Sequence, residues 1–87
     1  MSPENIIQIP IQEAMDYKYK LGVDEYRGGD SSVPFVGDPV CEMYSEIIDA
    51  LIYDEEAREQ GFPLYKQVNE ILMNLATVLK EYKEINP

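Results

Sequence analysis

The sequence predicts an all-α protein, and three observations predict it. Glycine and proline divide the chain into three helical segments and one long loop. Asp38-Pro39 opens a segment that Gly61 closes, a capping carboxylate followed by a proline at the first helical position and a glycine suited to the left-handed stop. In the last segment Tyr65, Val68, Leu72, Leu75, Leu79 and Tyr82 alternate by three and four residues, the spacing of a helix-packing seam.

The elements follow in order. Ser2-Pro3-Glu4 is a helix-start signal, but Pro10 pushes Ile9 toward an extended conformation, so residues 1–9 read as an arm with a short turn or strand-like stretch. A helix over 10–21 carries Ile11, Ala14, Met15 and Lys18 on one side and is expected to end at Gly22. Residues 22–37, GVDEYRGGDSSVPFVG, read as a loop, with Gly28, Gly29, Pro34 and Gly37 as breakers. An acidic helix spans 38–60 and a further helix 62–84, where Lys80 and Lys83 suit the negative end of the helix dipole. The short link at Gly61-Phe62 makes these two an antiparallel hairpin. The chain is expected to be a single domain of 87 residues whose bundle is completed by a homo-oligomer, a homodimer in the simplest case.

Composition narrows the function. The net charge is −10, and seven of those ten excess negative charges fall in residues 38–60. Direct nucleic-acid binding is excluded in practice, because phosphates need a basic footprint. The charge suits divalent cations or a basic partner surface. No apolar run approaches a membrane span, and MSPENIIQIP lacks the basic and apolar regions of a signal peptide. With Cys41 as its one cysteine the chain can form no internal disulfide, which fits a reducing, cytoplasmic setting. Without histidine, Ser-His-Asp and Cys-His catalysis of the usual kind are ruled out. Cys41, on a first helical turn, can have a lowered pKa there, though such a residue is more often packed.

The chemistry concentrates in CEMYSEIIDALIYDEEA, residues 41–57. At about 100° per residue, Glu42, Glu46, Asp49, Tyr53 and Glu56 fall within about 40° of one line. Carboxylates three and four residues apart stand side by side, as an oxygen-liganded cation needs. Val40, Met43, Tyr44, Ile47 and Leu51 centre nearly opposite, so the same line is also what the solvated face of an amphipathic helix looks like. Ile48, Ile52, Ala50 and Ala57 extend the apolar surface around the flanks, so this helix has to be covered on several sides. Arg27, beside Gly28-Gly29-Asp30-Ser31-Ser32, is the foremost single cation for a nucleotide phosphate, and the tyrosines, Tyr53 among them, suit either base stacking or an interface.

GDPVCEMYSEIIDALIYDEEA resembles the acidic helix of MazG-like nucleoside triphosphate pyrophosphohydrolases, including small phage versions. Glu46-Ile47-Ile48-Asp49 matches the family's Glu-x-x-Asp, Glu42 an upstream glutamate, and Ala50 to Tyr53 the continuation. The resemblance implies an all-α oligomer that holds Mg²⁺, or Mn²⁺, through carboxylates of two helices and hydrolyses (d)NTP to (d)NMP and pyrophosphate. On that reading Glu46 and Asp49 are catalytic, Glu42, Glu46 and Asp49 bind metal, either Glu13 and Asp16 (a second Glu-x-x-Asp) or a symmetry-related copy completes the metal site, and Arg27 and Tyr53 bind substrate. The alternative is non-enzymatic: a small acidic interaction protein, a phage-type inhibitor or DNA mimic acting in a host cytoplasm. Its Glu42, Glu46, Asp49 and Glu56 would occupy a basic groove of a nucleic-acid-binding protein.

Overall fold

A computed structural model describes residues 3–87, with side chains from Asn5 onward; the expected cap at Ser2 lies outside the described residues. Every regular element among them is helical: α1 (Pro3–Ile6), α2 (Ile11–Tyr26), α3 (Pro39–Glu59) and α4 (Lys66–Ile85). The chain falls into two compact units, 1–36 and 37–87.

In the first unit, the arm contains one helical turn rather than an extended stretch, and backbone bonds from Gln8 to Asn5 (3.1 Å) and Ile9 to Ile6 (3.3 Å) close it. Helix α2 then runs through Gly22 instead of stopping there. Glycine inside a helix costs only about 1 kcal/mol relative to alanine, and Val23, the buried apolar residue of this unit, follows it directly. The real stop lies six residues on. The Val23 carbonyl accepts from both Arg27 N and Gly29 N at 3.0 Å, and Gly28 (φ 60°) and Gly29 (φ 79°) supply the left-handed backbone that this geometry requires. A short turn follows, in which Asp30 Oδ1 accepts from Ser32 N (2.9 Å) and Ser32 Oγ (2.7 Å).

The second unit is the antiparallel hairpin of α3 and α4. Asp38 caps α3 as expected, its Oδ1 accepting from Val40 N (2.9 Å) and Cys41 N (3.4 Å), with Pro39 at the first helical position. Val40, Tyr44, Ile47, Leu51 and the buried Asp54 form one side of the seam, at spacings of four and three. The other side is Val68, Asn69, Leu72, Ala76, Leu79 and Lys83. Gly61 turns the chain at φ 92°.

Helix α4 starts at Lys66, four residues after the expected start at 62. Arg58 explains the delay: its Nη1 donates to the Leu64 carbonyl (3.1 Å) and its Nη2 to the Tyr65 carbonyl (2.9 Å), holding that backbone in a non-helical course. The seam on α4 also differs in part from expectation. Leu75 and Tyr82 are exposed, and Ala76 and Asn69 take inward places.

Candidate functional site

The acidic line on α3 exists in three dimensions and points away from the hairpin. Glu42, Glu46, Asp49 and Glu56 are exposed, and so is Tyr53, at 74%. On the helix wheel this line lies about 160° from the seam that meets α4. Glu56 accepts a hydrogen bond from Gln60 Nε2 at 2.8 Å. Ile52, on the flank of the line, is also exposed, so the acids are bordered by apolar surface.

The remaining expected site residues belong to the first unit. Glu13 and Asp16 are both exposed on α2, and Asp16 Oδ1 accepts from Gln12 Nε2 at 2.9 Å. Arg27 sits over the ring of Tyr19, 5.5 Å from its centre, and donates from Nη1 to the Tyr19 hydroxyl at 3.4 Å. Among the described residues, no three acids or cysteines come together in a group able to hold a metal ion. Glu42, Glu46 and Asp49 lie along one exposed face of α3.

Two polar groupings lie outside the expected site residues. At the closed end of the hairpin, Asp54 is 4% exposed on the seam itself. Its Oδ2 accepts from Arg58 Nε (3.0 Å) and from Asn69 Nδ2 on α4 (3.1 Å), while Oδ1 is buried and accepts no hydrogen bond from the described residues. The Arg58 hydrogen bond, opposed by burial and helped by Asn69, holds the Asp54 carboxyl below its ordinary value. A groove beside it is lined by Leu51, Asp54, Glu55, Arg58, Asn69 and Met73. The sequence carries a signal for this: position 54 continues the four-three spacing of Tyr44, Ile47 and Leu51, and an arginine four residues later can pair with an acid on that line.

At the open end, Asp38 Oδ2 accepts from Lys83 Nζ at 2.7 Å, joining the first turn of α3 to the last turn of α4. Lys83 above all, then Cys41 and the backbone of Val40, pull the Asp38 pKa from 3.8 down to about 2. The same pairing raises that of Lys83. Cys41 departs from expectation. It is exposed rather than packed, and its Sγ donates to Asp38 Oδ2 at 3.3 Å, which raises the thiol pKa where a helix N-terminus alone would lower it. An adjacent carboxylate outweighs the helix dipole here, because forming a thiolate would both lose this hydrogen bond and set two anions together.

No family model matches the chain, and neither a curated protein nor a solved structure matches it significantly. The class defined by fold and site is thus a small acidic protein built on a helical hairpin. No helix among the described residues is long and apolar enough to cross a membrane.

Proposed function

We propose that this chain is a non-enzymatic acidic interaction protein, whose helix α3 occupies a basic protein groove of the kind that otherwise holds nucleic acid. The observation that carries this reading is the separation of faces on α3. The hairpin consumes one side of the helix, and Glu42, Glu46, Asp49 and Glu56 line the other, with exposed Tyr53 among them. Carboxylates so arranged steer and register a basic partner, and an exposed tyrosine is the usual kind of anchor at such a surface. The concentration of seven of the ten excess negative charges in residues 38–60 supports it.

The reading implied by the MazG-like resemblance is the second one. Glu42, Glu46 and Asp49 on one exposed line support it, but a magnesium-nucleotide site would need ligands from outside α3.

The test is competition with duplex DNA for a basic DNA-binding domain, using the intact chain and a Glu42→Gln, Glu46→Gln, Asp49→Asn, Glu56→Gln variant. The wild-type chain is expected to displace the DNA, with affinity weakening on the order of tenfold as ionic strength rises through the physiological range. The variant is expected to lose most of that competition. Equal competition by the variant, or indifference to salt, would sink the proposal.

A further inference from the structure

Helix α4 carries two apolar seams, and the hairpin uses one. The second is Ile71, Leu75, Val78, Tyr82 and Ile85, spaced by four, three, four and three residues. On the wheel these five lie within about 40° of one line, about 110° from the seam that meets α3. Every one of them is between 38% and 78% exposed. A strict four-three repeat over two heptads is the pattern of a helix that packs lengthwise against another helix. We propose that this stripe is the interface between two copies of this chain, packed with their α4 helices antiparallel so that two hairpins form a four-helix bundle. The inference is independent of the function proposed for α3.

Charge supports a second copy as the occupant. The chain as a whole carries −10, which opposes self-association. Helix α4 is the exception: Lys66, Lys80 and Lys83 balance Glu70, Glu81 and Glu84. The open edge of the stripe is formed by Gln67, Asn74 and Glu81, which gives little for a charged foreign partner to select. Antiparallel packing opposes the two helix dipoles. The acidic line lies on α3, on the side of that helix turned away from α4, so this interface leaves it in solvent.

Area and spacing agree. With 38% to 78% of each of its five apolar residues exposed, the stripe offers on the order of 500 Å². Two copies together then bury about 1,000 Å², and the flanking side chains carry this into the range where specific interfaces begin. The stripe of α2 in the same chain is a poorer occupant. Ile11, Met15 and Tyr19 are spaced by four and four, so they drift about 80° around their helix. Gly22 then interrupts the line before Tyr26. A second α4 has the identical repeat.

The experiment is sedimentation equilibrium on the intact chain, with two sets of variants. Wild type is expected to be a dimer of the 10.0 kDa chain. Leu75→Glu, Val78→Glu is expected to weaken dimerisation by ~100-fold or more while far-ultraviolet circular dichroism retains its helical signal. In a Cys41→Ser background, Val78→Cys lies next to the two-fold axis and is expected to be joined by a short bifunctional thiol reagent. Ile85→Cys, more than about 20 Å from its counterpart, is expected not to be. A monomeric wild type overturns the proposal, as it would mean that the stripe is covered within the chain or by another protein. A dimer untouched by the glutamate pair overturns it as well. Crosslinking of Ile85→Cys as readily as Val78→Cys overturns the antiparallel geometry.

Discussion

Asp38 receives four hydrogen bonds, from two backbone N–H groups, the Cys41 thiol and the Lys83 ammonium, and so joins a helix cap to a link between residues 45 apart in sequence. The pairing predicts a pH dependence whose sign can be worked out. The folded pKa of Asp38 is depressed, to about 2 from 3.8. Its stabilising contribution is therefore present above the ordinary value and is lost as pH falls from about 4 through about 2. Lys83 is raised from 10.5, so its share is present below that value and is lost only as pH rises beyond it into the strongly alkaline range. At neutral pH both contributions stand. In thermal melts followed by circular dichroism, the acid-side fall in melting temperature is expected to be shallower in Lys83→Met than in wild type. The variant is also expected to melt several degrees lower at pH 7. Parallel acid limbs in the two proteins would mean that Asp38 owes its low pKa to the cap alone.

At the scale of the element, the two non-terminal glycines of the helical segments make opposite demands, and their substitutions should differ in sign. Gly61 turns the hairpin at φ 92°, and a Cβ there would meet nothing within 4 Å, so the whole cost of alanine is backbone strain of about 1–2 kcal/mol. Gly22 lies inside α2, where a Cβ would also meet open space, so alanine is expected to stabilise by up to about 1 kcal/mol. Chemical denaturation of Gly61→Ala and Gly22→Ala should show one midpoint falling and the other rising; a fall in both would place a tight contact at Gly22. The same pair explains why some elements were legible in the sequence and others were not. Asp38-Pro39 and Gly61 are local signals acting on their own neighbours, and they bound α3 to within a residue. Gly22 was misleading, because a glycine stops a helix only where the backbone turns left-handed, and that happens at Gly28 and Gly29. The late start of α4 depends on Arg58 reaching across the turn, a contact that no neighbouring residue announces. The α4 seam was drawn as one line through Leu72, Leu75, Leu79 and Tyr82 because two seams about 110° apart share a three-and-four rhythm, and periodicity alone cannot apportion Leu75 and Tyr82 between them. The acidic line of α3 could be placed because its apolar opposite face is unambiguous. Asp54 is an acid by type, but its spacing puts it on the core side of α3.

For the whole molecule the governing quantity is charge, since a net −10 on 87 residues puts most of the excess on one helix. Crowding Glu42, Glu46 and Asp49 at spacings of four and three costs about 0.2–0.5 kcal/mol per pair, and screening by any salt relieves it. A cation site adds something different: a specific ligand at about 100 times its dissociation constant stabilises by about 2.7 kcal/mol. On a chain of this size that amounts to a rise on the order of 10 °C or more in melting temperature. Melting in Mg²⁺ or Mn²⁺ against Na⁺ at matched ionic strength separates the two. If α3 is an electrostatic docking surface, wild type and Glu46→Gln, Asp49→Asn should gain only a small and equal increment from the divalent ion. The double variant should also start slightly higher, because two repelling charges are gone. A rise of the larger size in wild type that the variant loses would instead establish a carboxylate cation site. The ligands missing from α3 would then have to be sought on Glu13 and Asp16 or on another copy of the chain, with nucleoside triphosphates as the next substrates to try. Diffuse attraction depends on how many charges the surface holds, whereas a site depends on which two they are, so the double variant decides between a face and a site.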